Sequence, residues 1–260
     1  MRRVLELMTF GLVVLWGVAV PAVAQDLFEI QVYPWETVAP HRTMVEFHTN
    51  YILNGTHDTT GGQYANDGQF HETIEITRGW TTHFETGFYI ETAGVPEVGA
   101  EFTGFHIRPR VSFPEWSSFP FKVSLSVEYA FNQPGFDPNS QTLEIRPIFE
   151  HQQGRLYLSI NPSLSVAIKG PDGGAAPSFE PSAKIGWDVT RQISAGVEYY
   201  SELGPLTDLE PLSEQHHILV PTIDLNVSPD WELNFGVGYG LTDTSERWII
   251  KGIVGYRLKY

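Results

Sequence analysis

The chain has 260 residues, with 16 Lys and Arg against 31 Asp and Glu, a net charge of −15 and no cysteine. So acidic a chain is a poor partner for nucleic acid, whose phosphates it repels. The missing cysteine excludes disulfides and thiolate chemistry, and the length suits one all-β domain.

Arg2 and Arg3 precede an apolar run from Met8 to Val20, and Ala22-Val-Ala24 follows with small residues at alternate positions. Residues 1–24 therefore read as a secretory signal peptide, removed next to Gln25. No cysteine follows for lipid attachment. No later run approaches the ~20 apolar residues of a membrane-spanning helix. If the exported chain crosses a membrane, it must do so as a closed barrel. Residues 25–40 contain Phe28-Glu-Ile-Gln-Val-Tyr33 and then prolines at 34 and 40. Two prolines make a poor central strand. This stretch reads as a periplasmic or lumenal lead-in to a barrel over 41–260.

From Thr43 onward, apolar and polar residues alternate with the period of a strand that has unlike faces. The first strand, about 43–53, sets Val45, Phe47 and Tyr51 against Glu46, His48 and Asn50. Further strands are predicted at about 70–77, with Glu75 on the polar row, and 83–92, with Glu85 and Glu91. The fourth, about 105–113, sets Ile107, Val111 and Phe113 against His106, Arg108 and Arg110. The pattern continues over about 121–131, 143–150 (with Arg146), 156–168, 179–189, 193–201, 218–227, 233–241 and 248–260. Twelve strands of about ten residues suit a closed antiparallel transmembrane β-barrel.

The connections alternate as well. Residues 79–82, 152–155, 190–192 and 228–231 are tight turns, and 114–120 is the longest of that set. Between them, 54–69, 93–104, 132–142, 169–178 and 202–217 are long and rich in Gly, Pro, Asp and Asn. Short turns at one rim and long loops at the other are the barrel arrangement. Trp80, Trp116 and Trp231 fall at the short-turn ends, and Tyr51, Phe102, Phe131 and Trp248 towards the long loops, as two interfacial girdles require. Pro109, Pro147, Pro162, Pro181 and Pro221 break the pattern mid-strand. They predict bulges or a locally weakened wall, because proline cannot donate to a ladder.

The closing segment sets Trp248, Ile250, Val254, Tyr256 and Leu258 against a row with Lys251, Arg257 and Lys259. Gly255-Tyr-Arg-Leu-Lys-Tyr260 resembles the closing strand of bacterial outer-membrane barrels. That resemblance implies that Gly255, Leu258 and Tyr260 belong to the signal read by the barrel assembly machinery, although Ile253 stands where a polar residue is expected. Phe28-Glu-Ile-Gln-Val-Tyr33, Glu46-Phe-His-Thr-Asn-Tyr51, His106-Ile-Arg-Pro-Arg110, Glu144-Ile-Arg-Pro147 and Lys251-Gly-Ile-Val-Gly-Tyr256 resemble a family of uncharacterised Gram-negative outer-membrane β-barrel proteins, often labelled transporters. The resemblance implies a bacterial outer-membrane location and outer-membrane lipid as surroundings. It supplies no substrate and no catalytic residue.

Glu46, His48, Glu75, Glu85, Glu91, Arg108, Arg110 and Arg146 are the candidate lumen-lining residues. Adjacent third and fourth strands let Glu85 or Glu91 meet Arg108 or Arg110. Such pairs either close the barrel or line a selective pore. Eight strands give a filled interior and sixteen an open channel, so twelve should leave a narrow lumen. His48, His71 and His106 lie near Glu46 and Glu75, but no short ligand spacing supports a metal site, and no metal is assigned. No Gly-x-Ser-x-Gly elbow or compact Ser/His/acid set is present, so no catalytic residue is assigned either. Lys169-Gly-Pro-Asp-Gly-Gly174 is a turn rather than a phosphate loop, and no cofactor is expected. The leading reading is passive passage of small polar solutes. An outer-membrane enzyme acting on lipid or surface peptide, and a closed structural or adhesive barrel, are its rivals.

Overall fold

The computed structural model describes residues 27–59, 61–116 and 118–259. The expected signal segment 1–24, Gln25 and the terminal Tyr260 lie outside these residues. Twelve antiparallel strands follow in chain order: β1 (Thr43–Asn54), β2 (Phe70–Thr81), β3 (Phe84–Val95), β4 (Gly99–Ser112), β5 (Lys122–Asn132), β6 (Gln141–Gln153), β7 (Leu156–Lys169), β8 (Ser178–Asp188), β9 (Ile193–Glu202), β10 (His216–Leu225), β11 (Trp231–Gly240) and β12 (Trp248–Leu258). Each pairs with its sequence neighbours, and β1 pairs with β12 to close the barrel. The seam runs from Thr43 opposite Leu258 to Asn54 opposite Trp248. Closure leaves no edge with unpaired backbone groups.

Burial is inverted relative to a water-soluble domain. Phe47, Ile76, Phe88, Ile90, Phe105, Ile185, Phe235 and Val254 are exposed on the outer wall, whereas Glu75, Glu85, Thr73, Ser124, Ser159 and Asn161 are buried inside. Alternation dictates this: residues i and i+2 share a face, and only the inner face of a closed barrel is hidden from lipid. Trp80, Trp116 and Trp231 are exposed near the short-turn rim, and Tyr51, Phe102 and Trp248 near the opposite one.

One connection differs from expectation. Residues 93–104 do not form a long loop, because β4 begins at Gly99 and the hairpin turns at Pro96–Val98. The tight turn is made possible by backbone in the left-handed region at Glu97 (φ 64°) and Gly99 (φ 114°). Gly94, Pro96 and Gly99 give the stretch through Thr92–Phe102 the composition of a loop, so it does not mark a strand by itself. It pairs because its neighbours hold it in register.

The five prolines coincide with interruptions in the wall. Pairing of β4 with β5 stops between Ile107 opposite Tyr129 and Arg110 opposite Ser126, across Pro109. Pairing of β6 with β7 skips from Ile145–Leu164 to Phe149–Ile160, across both Pro147 and Pro162. Pairing of β10 with β11 skips from Leu219–Tyr239 to Thr222–Gly236, across Pro221. Pairing of β8 with β9 begins only at Ser182, the residue after Pro181. Each proline lacks the N–H that its neighbour's carbonyl needs, so the ladder fails on that side and holds on the other.

Candidate functional site

The lumen is occupied by the chain's own N-terminal segment, residues 27–40, which runs through it without joining the barrel ladder. Leu27, Glu29, Ile30, Val32, Tyr33, Thr37 and Val38 are all buried. Near the long-loop rim, the ring of Phe28 stacks on His71 at 4.1 Å and meets Phe136 edge-on at 5.9 Å. At the short-turn rim, His41 N–H donates to Gly79 O and Gly79 N–H to Arg42 O. The segment therefore extends from one rim to the other.

An extended segment in a barrel cannot satisfy its backbone with a neighbouring strand, and buried backbone groups must be paired. Inward side chains take that role here. Asn50 donates to the carbonyls of Leu27 and Phe28, and Thr73 to that of Phe28. Ser159 and Asn161 donate to Tyr33 O, while Tyr33 N–H donates back to Asn161 Oδ1 at 2.7 Å. Arg110 holds the carbonyls of Pro34 and Glu36. Trp35 N–H donates to Glu150 and Val38 N–H to Glu85.

The segment fits between two unlike walls. Leu27, Ile30 and Val32 pack against Ile52, Tyr200, Ile218, Val220 and Ile249, an apolar patch contributed by β1, β9, β10 and β12. Tyr33 turns the other way into a basic pocket. The guanidinium carbons of Arg146, Arg108 and Arg110 lie 4.4, 4.6 and 5.5 Å from its ring centroid, and its hydroxyl is 3.0 Å from that of Tyr89. Cations over a desolvated aromatic face are attracted by its quadrupole.

All eight residues singled out as lumen-lining are buried on the inner face. Arg110 meets Glu85 at 2.7 Å and Arg108 meets the same oxygen at 3.4 Å, as the third and fourth strands allow. Glu91 instead lies 3.3 Å from His106, whose other ring nitrogen is 2.8 Å from Glu128. Arg146 bonds Glu144 on its own strand at 2.7 Å.

Arg108 also reaches past β3 to Glu75 on β2, at 2.5 Å. It can do so because Gly87 lies between them. A Cβ there would stand 2.9 Å from Thr77 Oγ1 and 3.2 Å from an Arg108 terminal nitrogen. Sequence reading did not find this two-strand reach.

It also missed a second charged network in the other half of the barrel. Lys251 on β12 bonds Glu198 at 2.6 Å, and Lys184 on β8 bonds Glu198 at 3.1 Å and Asp224 at 2.8 Å. Lys184 and Glu198 are directly opposite in the β8–β9 register, so alternation alone could have singled them out. Glu29 and Tyr33 could not have been found that way, since nothing in their local pattern says which wall they face.

Both rims are tied off. At the short-turn rim Arg42, Lys259 and Asp230 cluster beside the barrel seam, with Asp230 2.7 Å from Arg42 and 3.1 Å from Lys259. Hydrogen bonds from those two cations hold the Asp230 carboxyl below its usual value. At the other rim Tyr64 N–H donates to Gly135 O at 2.8 Å, and Asn66 donates to Glu246 at 2.9 Å. Burial pushes the Glu246 carboxyl above its ordinary value.

No family model and no curated protein matches the chain. Solved structures do match in fold. The outer membrane channel from Pseudomonas putida F1 aligns with TM-score 0.62 at 8% identity, over 88% of this chain and 100% of that one. The KdgM porin aligns with TM-score 0.51 at 9% identity, over 82% and 98%. The transport unit of the autotransporter AIDA-I from Escherichia coli aligns with TM-score 0.52 at 12% identity, over 92% and 95%. The fold is thus that of porin-like outer-membrane β-barrels. At these identities the likeness is one of architecture.

Proposed function

We propose that this protein is an outer-membrane channel for small polar solutes, held closed by residues 27–40 and opened when that segment leaves the lumen. The observation that carries the reading is how the segment is held. Its backbone is bound by side chains and not by a ladder, so it can leave without breaking any strand pairing. What it would uncover is a lumen lined by both charge signs, from Glu75, Glu85 and Glu91 to Arg108, Arg110 and Arg146. Such a lining suits polar solutes. The exposed apolar outer wall supports a lipid surround, and Gly255, Leu258 and Tyr260 remain the residues proposed to be read by the assembly machinery. Among the fold neighbours, the KdgM porin has been solved in complex with disordered oligogalacturonate, a polar solute of that protein.

The rival of a permanently closed structural barrel is favoured by the filled lumen itself, and one experiment separates the two. Purified barrel in planar bilayers should show few and brief openings. A variant lacking residues 27–38 should conduct steadily. A deletion variant that inserts and resists heat like the parent, yet stays electrically silent, would refute the channel.

A further inference from the structure

We propose that Glu46, His48 and Glu75 form a binding site for one divalent transition-metal cation in the barrel wall. Glu46 and His48 are two residues apart on β1 and so share its inner face. The β1–β2 register places Glu75 directly opposite Glu46. Two carboxylates facing each other across a ladder repel unless a positive species lies between them. Donor atoms of the three side chains lie within 4.8 Å of one another. Their residues are 5%, 1% and 1% exposed, respectively, so water does not screen them.

Their hydrogen bonding is incomplete in a consistent direction. Glu46 Oε1, both ring nitrogens of His48 and Glu75 Oε2 are buried without a hydrogen-bond partner. His48 Nε2 lies 3.4 Å from Glu75 Oε2. Buried polar atoms are nearly always paired, and several orphans at one spot call for an absent ion or proton. The other oxygen of Glu75 is fully engaged. Arg108 donates to it at 2.5 Å and Thr77 donates to it as well, which turns Oε2 towards His48. A held ligand of this kind is the usual support of a metal site. Arg108 and Arg110 are both paired with Glu75 or Glu85, whereas Glu46 forms no ion pair among the described residues. Space for the Glu46 carboxylate comes from Gly255, opposite it on β12: a Cβ there would stand 2.8 Å from Glu46 Cγ.

One imidazole and two carboxylates suit zinc, manganese or ferrous iron better than calcium, which prefers six to eight oxygens. Three protein donors leave coordination positions for water. The site is invisible as a sequence motif because its spacing is i, i+2 and cross-strand. All three ligands belong to β1 and β2, so binding does not depend on the channel reading.

The full barrel is refolded in detergent with zinc chloride, dialysed against metal-free buffer, and its zinc measured by mass spectrometry. About one zinc per chain is expected, with Glu46→Gln and His48→Gln reduced to background. His106→Gln, in the other histidine–carboxylate cluster, should keep its zinc. Absence of zinc from the wild type would mean that a proton bridges the acids, and would overturn the proposal. Undiminished zinc in both variants would do the same. If the variants fail to become heat-modifiable, X-ray absorption on the zinc-loaded wild type decides. One imidazole with oxygen donors supports the site. Two or more imidazoles, as from His216 and His217, or none, overturn it.

Discussion

Tyr33→Ala is the sharpest probe of how the lumen is closed. Tyr33 is only 2% exposed and touches three guanidinium groups and the hydroxyl of Tyr89. Truncating a buried aromatic to alanine costs about 3–5 kcal/mol. The cation–π contacts, each ~0.5–2 kcal/mol, are part of that figure and not added to it. The barrel wall does not include Tyr33, so the cost falls on docking of residues 27–40 and not on the strands. Taking ~3 kcal/mol at about 1.4 kcal/mol per factor of ten, the docked-to-undocked ratio drops on the order of a hundredfold. Hydrogen exchange in micelles reads this directly. The amides of Tyr33, Trp35 and Val38, held by Asn161, Glu150 and Glu85, should lose protection by about that factor. Amides of β11 and β12 should not change. Tyr33→Phe removes only the hydroxyl contact, worth ~0.5–1.5 kcal/mol, and should lose about tenfold or less. Equal loss throughout the strands, or no loss in the segment, would show that the segment is not an independently docked unit.

Arg108→Met should destabilise the barrel by about 3–5 kcal/mol in urea titrations, because Glu75 and Glu85 would remain buried with part of their counter-charge gone. Adding Glu75→Gln should recover part of that loss; a purely additive double variant would argue against the pairing. Gly87→Ala should cost roughly 1–3 kcal/mol by overpacking against Thr77 and Arg108, whereas Gly94→Ala, whose Cβ meets only Phe70 at 3.7 Å or beyond, should not have that cost. Glu246→Gln should stabilise the folded barrel at pH 7. Burial raises the Glu246 pKa, so its contribution is fully present below the unfolded glutamate value of ~4.3 and is lost as pH rises through the folded one. The advantage of glutamine should therefore shrink as pH falls towards 4, and a constant difference between pH 4 and pH 7 would contradict this.

Much of the barrel was legible because a strand's period is two and a lipid-exposed wall leaves no freedom in which row faces out. Glu46, Glu75, Glu85, Arg108 and Arg110 could be placed inside from their neighbours alone: Phe47, Ile76, Phe88, Phe105 and Val111 are on the opposite row and exposed. Strand partners followed from chain order. Which acid meets which cation did not follow. Arg108 reaches past β3 to Glu75 across Gly87, and Glu91 turns diagonally to His106 on the neighbouring strand, because side-chain reach inside a closed barrel depends on what stands between.

The sequence by itself determined the strand count, the two faces of the wall and the rim at which each connection lies, since these follow from local alternation and turn composition. Only the tertiary structure decided what fills the interior. Residues 27–40 carry a mixed pattern with two prolines and pair with no strand, so no periodicity ties them to a place. Their position is set by contacts more than a hundred residues away, such as Tyr33 with Asn161 and Trp35 with Glu150. Those side chains come together only when β1 meets β12, and ring closure is a property of the whole chain.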